Sequence, residues 1–331
     1  MGVQSEPDDL DRAALAEALR RGWGIDAARL DYLPAGYGSH HWEAVGAGGS
    51  RWFVSADDLR APHRAGRTPD DVLAMLDRAF RTAAALRDDA GLEFVLAPIP
   101  SDGGAVLHRL DARYAVSVEP FVEGTAGKDG EFERPEERRR MGALLGRLHA
   151  ASESVPPGLP AREDFALPGR EALVEALARL DAPWGGGPFA EPARRLLRAN
   201  AGGVRNRLSA HDRLAARVGH DPRPWVVTHG EPHSSNVMRD ARGGLWLVDW
   251  DTALVAPPER DLWMVLDEHL AGWDEYREVT GAVRLDEDLL RLYPDRWALA
   301  EICEYVAELS GPHEETPGTR ASWEILGEYL S

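Results

Sequence analysis

Lysine and cysteine are nearly absent from this sequence. Its 331 residues include one lysine, Lys128, and one cysteine, Cys303, so arginine supplies almost all of the 38 basic side chains. A lone cysteine cannot form an internal disulfide bond, which excludes a disulfide-stapled secreted domain. We therefore expect a cytoplasmic protein with a buried structural thiol. Long apolar runs are also missing, and none approaches the roughly 18 residues that a membrane-spanning helix needs.

Basic charge is scarce relative to acidic charge. The 38 basic residues face 56 acidic ones, which gives a formal net charge of −18. Such a chain is repelled by nucleic-acid phosphates and anionic membranes unless it carries a concentrated basic patch, and none is evident. Residues 1–19 are acidic and do not resemble a secretion signal. We expect a small-molecule partner, with a cationic one favoured, and no nucleic-acid or membrane partner; the oligomeric state stays open.

The apolar spacing divides the chain into a sheet-rich first third and a helical remainder. Strands are predicted over 32–45, 51–56, 94–97, 105–110, 114–118, 225–228 and 245–248. Helices are predicted over 9–22, 70–88, 135–151, 170–181, 190–217 and from 260 onward.

This order of elements predicts an α+β fold with two unequal lobes and a cleft between them, where ligands tend to bind. The predicted division is an amino-terminal lobe over 1–118, a connector over 119–124 and a helical lobe over 125–331.

Polar side chains at fixed offsets mark the most informative part of the sequence. His229, Gly230 and Glu231 are followed by Asn236, and Asp249 ends a predicted buried strand. Phosphoryl transfer needs a carboxylate that positions the acceptor hydroxyl and receives its proton, and oxygen ligands that hold Mg²⁺ on the nucleotide phosphates. A carboxylate, an amide oxygen and a second carboxylate on two adjacent loops can supply that set.

The same residues resemble the signature of the aminoglycoside phosphotransferase family, which includes choline and homoserine kinases. That family has His-Gly-Asp, an Asn five residues later, and then Val/Ile-Asp-Trp/Phe; this chain has His229-Gly230-Glu231, Asn236 and Val248-Asp249-Trp250. The run 249–263 looks especially like the spectinomycin phosphotransferase branch. The resemblance implies a bilobal protein-kinase-like fold, with a small antiparallel-sheet lobe covering the nucleotide and a larger, mainly helical lobe.

The resemblance also implies an activity and roles for individual residues. The activity is ATP- and Mg²⁺-dependent transfer of a phosphoryl group to a small-molecule hydroxyl, with GTP left open as the donor. Glu231 matches the catalytic base, Asn236 and Asp249 match the Mg²⁺ ligands, and His229 and Asp261 match residues that hold the catalytic loop. The implied nucleotide-binding residues are Gly36, Gly38, Ser39 and His40 in the phosphate-covering hairpin, Ser55 on the next strand, and Glu119 and Phe121 in the hinge.

Two positions depart from the family pattern. Glu231 stands where the family has Asp, and Ser55 stands where the strand lysine that binds phosphate is expected. The usual glutamate partner of that lysine is missing too, because 70–88 contains no Glu. One hypothesis is that Arg78, Arg81, His40 or His41 makes the phosphate contact. The alternative is a pseudokinase that binds a nucleotide or metabolite without transfer.

The acceptor is less well indicated than the reaction. An aminoglycoside or aminocyclitol antibiotic, a nucleoside antibiotic and a biosynthetic intermediate are all compatible with the motifs, and the first would imply a role in antibiotic resistance. Four acids after the metal motif could bind a cationic acceptor or could simply form a solvated helix face: Asp267, Glu268, Asp274 and Glu275.

Overall fold

A five-stranded antiparallel sheet and two helices form the amino-terminal part of the chain. The computed structural model describes residues 5–36, 38–61, 67–128, 130–219, 223–281 and 284–330. The strands are β1 (Ala27–Leu33), β2 (Ser39–Gly46), β3 (Arg51–Asp58), β4 (His108–Arg109) and β5 (Tyr114–Pro120), and the helices are α1 (Arg12–Trp23) and α2 (Pro69–Asp88). The sheet order is β1-β2-β3-β5-β4.

Helix α1 covers one face of this sheet. Asp11 caps the helix by accepting a hydrogen bond from the Ala13 amide at 2.8 Å, and Gly24 ends it in the left-handed region. Its apolar side chains pack on alternate residues of the central strands, including Trp42 and Val54. Because side chains alternate across a strand, the intervening residues of β2, β3 and β5 lie on the opposite face.

The remainder of the chain is mainly helical. Its helices are α3 (Pro135–Ala150), α4 (Arg170–Ala178), α5 (Ala190–Val218), α6 (Glu259–Val265), α7 (Trp273–Thr280), α8 (Glu287–Ser310) and α9 (Pro317–Leu330). Short strands form two small sheets among them: β6 (Gly124–Ala126), β7 (Ala161–Arg162), β8 (Val226–Thr228), β9 (Val237–Asp240), β10 (Leu245–Leu247) and β11 (Leu254–Ala256). The predicted α+β class is confirmed.

The segment after α2 joins the two parts of the molecule. Val95 forms a parallel bridge with Leu247, the Leu96 amide donates to the Leu247 carbonyl at 3.0 Å, and the Leu247 amide donates to the Phe94 carbonyl at 2.8 Å. These bonds attach the amino-terminal part to β10, the strand that leads to Asp249.

Several predicted strand boundaries were wrong. The single strand expected over 32–45 is two strands, β1 and β2, with the Gly36 turn between them. The segment 94–97 forms the isolated bridge rather than a strand, and β9 was not predicted. The connector is also more ordered than expected, since β5 continues to Pro120 and β6 begins at Gly124.

Two expectations from composition can be compared with the structure. Cys303 is fully buried in α8, as predicted, and burial raises the pKa of its thiol to about 12. Among the described residues, no helix is both long and apolar enough to cross a membrane.

Candidate active site

The loop between β8 and β9 carries the predicted catalytic residues, and Asp261 holds it in place. The backbone amides of His229 and Gly230 both donate to the Asp261 carboxylate, at 2.9 and 2.7 Å. His149 bonds to the same carboxylate at 3.0 Å. Burial alone would raise the pKa of Asp261, but the hydrogen bond to His149 and the nearby positive charge lower it overall. The predicted bracing role of Asp261 is confirmed.

His229 links the catalytic loop to the strand before Asp249. Its Nε2 atom lies 2.8 Å from the Val248 carbonyl oxygen, and its Nδ1 atom accepts from the Glu231 amide at 3.2 Å. These partners assign the proton to Nε2. Burial lowers the pKa of His229 to about 4, so the ring is neutral at physiological pH. The prediction that His229 holds the loop by hydrogen bonding is confirmed.

Position 230 requires glycine, because the Arg260 side chain lies close to its backbone. Its φ of +105° lies in a region that L side chains rarely adopt, and a Cβ there would lie 2.4 Å from the Arg260 guanidinium. Arg260 in turn donates to the Thr228 hydroxyl at 2.8 Å and the Thr252 carbonyl at 2.9 Å. The tight turn therefore directs the chain out of the core just before Glu231.

Glu231 follows this turn with a partly accessible carboxylate. Its side chain is 30% exposed, and its Oε2 atom lies 3.8 Å from Nε2 of His233. Burial, with the neighbouring Asp251 carboxylate, raises the pKa of Glu231 to about 7. A carboxyl that titrates near neutral pH suits a group that must take a proton during turnover.

Asn236 and Asp249 are brought beside Glu231 by backbone contacts. The Asn236 side-chain amide donates to the Glu231 carbonyl at 3.0 Å, and the Val248 amide donates to the Asn236 carbonyl at 3.0 Å. Asp249 follows directly, with a φ of +67° that turns the chain after β10. Asp249 is an exposed residue, but the protein atoms around its carboxyl group remove part of the hydration of that group. Desolvation and the negative charges of Asp251 and Glu231 raise its pKa.

This donor set fits Mg²⁺. The bond from the Asn236 NH₂ group leaves the side-chain oxygen of that amide as a ligand, and Asp249 supplies a carboxylate in a region of excess negative charge. Within the described ranges, no three His, Cys, Asp or Glu side chains are arranged to hold a metal by themselves. Mg²⁺ needs few protein ligands, because substrate phosphates and water complete its shell.

The face of the sheet opposite α1 looks toward this carboxylate cluster. It carries Ser55, Asp57, Ser117 and Glu119. The charges of Asp57 and Glu119 both contribute to the raised pKa of Asp249. Ser39 joins them on β2, where its hydroxyl donates to Asp57 at 2.8 Å. The polar face of the sheet and the carboxylate cluster therefore lie within electrostatic reach of each other, and the region between them is called the cleft below.

Glu119 occupies an unusual position in this cleft. Its Oε1 atom accepts a hydrogen bond from the Ser117 hydroxyl at 3.3 Å, whereas its Oε2 atom is buried without a hydrogen-bond partner. Burial, together with the charge of Asp57, raises the pKa of Glu119 to about 8. At neutral pH it is therefore a protonated carboxylic acid.

The hairpin residues divide between the two faces of the sheet. Gly36 and Gly38 both have left-handed φ values, of +74° and +81°, and Tyr37 between them lies outside the described residues. His40, predicted to contact phosphate, lies instead on the α1 side, with its Nδ1 atom 3.2 Å from the Tyr32 hydroxyl and its ring near Trp42. Because β2 alternates its side chains, this position does not support the predicted phosphate contact of His40, and His41 faces the cleft instead.

Phe121 lies in the connector, and Lys128 follows β6 just beyond it. The Arg51 guanidinium stacks over the Phe121 ring at 3.9 Å, and it also pairs with Glu43 and Glu123. The backbone of Lys128 packs on the catalytic loop, where the Ser234 hydroxyl donates to its carbonyl oxygen at 3.3 Å.

The arginines suggested as phosphate ligands are occupied elsewhere. Arg78 donates to the carbonyls of Leu159 and Gly158, at 3.1 and 3.3 Å, in the segment between α3 and β7. Arg81 is exposed and lies 3.7 Å from Asp77 of the same helix. Neither arginine therefore replaces the strand lysine.

The acids near the catalytic loop are not the four suggested by the sequence. Asp267 accepts from two amides of its own turn, Glu268 is 86% exposed, and the two α7 acids lie near surface arginines. Glu301 of α8 instead lies close enough to raise the pKa of Glu231. Burial and the charge of Glu301 raise the pKa of Glu304 to about 7.

The α8 acids could have been found from the sequence. Glu301 and Glu304 stand at helical spacing i, i+3 within an otherwise apolar, buried stretch. Acidic residues repeated on one face of a buried helix are unfavourable unless they serve a ligand or a partner, and that pattern was the missed signal.

Comparisons with known proteins agree with this arrangement. Residues 33–301 match the phosphotransferase enzyme family. Protein StrN of Streptomyces griseus is 34% identical over 260 residues, which cover 74% of each chain.

Solved structures show the same fold. Spectinomycin phosphotransferase in complex with ADP and spectinomycin superposes with a TM-score of 0.75, at 17% identity, over 97% of this chain and 95% of that one. Choline kinase from Streptococcus pneumoniae gives a TM-score of 0.58, at 11% identity, over 96% and 98%. The predicted kinase-like fold and family resemblance are both confirmed. The chain belongs to the phosphotransferase enzyme family.

Proposed function

We propose that this phosphotransferase moves the γ-phosphoryl group of ATP to a hydroxyl of a cationic, polyhydroxylated small molecule of the aminoglycoside or aminocyclitol type. The observation that carries the proposal is the convergence of Glu231, Asn236 and Asp249 on one rim of the cleft, opposite the polar face of the sheet. The nucleotide then occupies the cleft between a lobe over 1–118 and a lobe over 125–331, beside the connector 119–124.

Asn236 and Asp249 would hold Mg²⁺. When bound, Mg²⁺ neutralises negative charge on the transferring phosphates. The excess negative charge around Asp249 supports this assignment, because a cation offsets the repulsion that raises the pKa of this carboxyl.

Glu231 positions the acceptor hydroxyl and receives its proton. The acceptor oxygen forms a bond to the γ-phosphorus, the bond between that phosphorus and the β,γ-bridging oxygen breaks, and ADP leaves. Phosphoryl transfer depends mainly on positioning and charge stabilisation rather than on a strong base. The extra methylene of Glu231 relative to Asp is therefore compatible with activity if the acceptor sits correspondingly further from the loop.

The acids of α8 support a cationic acceptor. Glu301 contributes to the raised pKa of Glu231 and therefore lies within electrostatic reach of it, and Glu304 is one helical turn further along. Ammonium groups of an amino sugar would offset the cost of these half-buried carboxylates. The spectinomycin bound in one structural neighbour supports the same class of acceptor for this chain. Modification of such a compound is a route to antibiotic resistance.

Mass spectrometry over an acceptor panel tests the proposal. The full chain is incubated with Mg²⁺ and ATP or GTP and with aminocyclitols, aminoglycosides, nucleoside antibiotics and choline. The expected result is the gain of one phosphoryl group by an amino-bearing aminocyclitol or aminoglycoside with ATP, and its loss in Asp249→Asn. Transfer only to an uncharged acceptor would contradict the assignment of the α8 acids.

The second candidate function is a pseudokinase. Ser55 in place of the lysine, and Glu231 in place of Asp, are the observations that favour it. Nucleotide binding without transfer to any member of the panel, and without slow ATP hydrolysis, would favour this candidate. The single cysteine supports a cytoplasmic location for either function.

A further inference from the structure

His41 presents one ring nitrogen to the glycine hairpin. Its Nδ1 atom lies 3.1 Å from the Ser55 hydroxyl oxygen, and its ring packs against the Phe53 ring in a tilted arrangement with centroids 4.8 Å apart. Its Nε2 atom lies on the Gly36 side, since a Cβ built on Gly36 would be 3.1 Å from it. Ser55 therefore holds the ring at Nδ1, and the second ring nitrogen, Nε2, faces the turn at Gly36.

We propose that His41, oriented by Ser55, donates a hydrogen bond from Nε2 to a phosphate oxygen of the bound nucleotide. It thereby takes the place of the missing strand lysine. This inference rests on the proposed function, because it requires a nucleotide in the cleft.

The other side chains on this face leave His41 as the available nitrogen donor. The nitrogen-bearing side chains that β2, β3 and β5 present here, among the described residues, are His41 and Arg51. Arg51 is held by Glu43, Glu123 and the Phe121 ring at the connector end. Arg87, which approaches Glu119 from α2, donates to the carbonyls of Ala97 and Pro98.

The charge states fit a neutral donor. Burial lowers the pKa of His41 to about 4, so it carries a single ring proton at neutral pH. Asp57 and His40 are the other titratable groups that act on it, in opposite directions. The proposed contact requires the tautomer in which the Ser55 hydroxyl donates to Nδ1 and the ring proton resides on Nε2. Glu119, protonated at neutral pH, places no additional negative charge beside Ser55.

A comparison of adenosine, AMP and ADP isolates the phosphate contact. Binding of each to the full chain with Mg²⁺ is measured by calorimetry for wild type, His41→Ala and His41→Gln. Loss of a hydrogen bond to a charged group should weaken ADP binding by about tenfold or more in His41→Ala. Adenosine binding should stay close to that of wild type, and His41→Gln should recover part of the loss because its amide nitrogen can occupy the position of Nε2.

His40→Ala is the matched control. It removes an imidazole from the adjacent residue of the same strand but on the α1 face, so ADP affinity should be retained. Melting temperatures of both alanine variants show how much of any change is structural.

Each remaining outcome contradicts the inference. Equal weakening of adenosine and ADP in His41→Ala would assign His41 a packing role. Unchanged ADP affinity would remove it from the phosphate site while leaving the proposed function intact. If wild type binds none of the three ligands, the proposed function fails together with this inference.

Discussion

The Nε2 atom of His229 donates a hydrogen bond to the carbonyl oxygen of Val248 over 2.8 Å. Val248 immediately precedes Asp249, and the Nδ1 atom of the same ring accepts from the Glu231 amide. One buried imidazole therefore links the backbone next to Glu231 to the backbone next to Asp249, the two carboxylates of the candidate site.

Removal of this imidazole should impair both turnover and folding stability. In His229→Ala, misplacement of the two loops by about 1 Å should lower kcat by about 100-fold. The lost packing and hydrogen bonds should lower the free energy of unfolding by about 3 kcal/mol. Steady-state kinetics and urea denaturation measure the two effects. His269→Ala, at a histidine that is 83% exposed, should change neither. Unchanged kcat in His229→Ala would show that the link does not position the site.

Gly230→Ala should be far more damaging than an alanine at a comparable open turn. A Cβ would overlap the Arg260 guanidinium and strain the backbone, so we expect a loss of about 3 kcal/mol or more in stability. Gly243 is the matched control because it also has a left-handed φ, of +80°, but no atom within 4 Å of a built Cβ. Gly243→Ala should cost about 1 kcal/mol. Equal losses in the two variants by chemical denaturation would contradict the close approach.

Asp249→Asn should abolish transfer while the fold persists. Asn tolerates the left-handed φ of this position, and its neutral side chain removes one of several mutually repelling carboxylates. Without metal, the melting temperature should therefore rise. The further rise that Mg²⁺ and an ATP analogue produce in wild type should be lost, and transfer should fall by at least about 100-fold. Asp274→Asn, at a side chain that is 88% exposed, is the control. Full activity in Asp249→Asn would overturn the metal assignment.

The rate should depend on the ionisation of Glu231. Because burial and Asp251 raise the pKa of Glu231 to about 7, the base form is lost below that pH. We expect kcat/KM to rise as pH increases through about 7 and then to level off. Asp251→Asn removes a negative neighbour and should move the midpoint to lower pH. Glu231→Gln should lower kcat by about 100-fold or more, with little change in nucleotide affinity. A flat profile in wild type would argue against this base.

Glu119 should make the protein less stable at alkaline pH. Its pKa is about 8 in the folded state and close to the ordinary value when unfolded, so the folded state binds more protons between those values. Stability is therefore lost as pH rises through this window. In Glu119→Gln that loss should be absent, and the variant should gain stability relative to wild type between pH 5 and 9. Denaturation at each pH measures the difference, with the exposed Glu93→Gln as control. Parallel curves for wild type and Glu119→Gln would show that Glu119 is ionised in the folded protein.

Motif spacing alone locates most of the candidate site. Phosphoryl transfer restricts which side chains can stand at the offsets of Glu231, Asn236 and Asp249. The family resemblance assigns Asp261 and His229 to loop support, and their hydrogen bonds confirm that assignment. The glycine at position 230 is also predictable from the local motif, because its left-handed conformation is a property of the turn itself.

The sheet residues are less predictable. His40 and His41 differ by one position, and the side of the sheet each faces depends on the register of β2 against β3. That register is decided by which residues pack against α1, a contact with residues far away in sequence. The same limit applies to Arg78, whose partner Leu159 lies 81 residues further along the chain.

Local sequence patterns also do not predict which acidic residues lie near the proposed acceptor site. Glu301 follows Glu231 by 70 residues, and its effect on the pKa of Glu231 arises because α8 packs against α6, the helix that carries Asp261. A helical pattern shows which residues share a face, but it does not show what that face meets.

The sequence by itself determined the family, the two-part α+β fold and the residues of the catalytic loop and metal motif. These depend on local spacing and on the chemistry that each residue type can perform. Only the tertiary structure decided that His41 rather than His40 faces the cleft, that the surroundings of Glu119 raise its pKa to about 8, and that Glu301 lies within electrostatic reach of Glu231. Each of these depends on burial and on distances between segments remote in sequence. The scarcity of lysine matters at this face of the sheet, because Ser55 stands at the position where a lysine is expected and the His41 imidazole lies beside it.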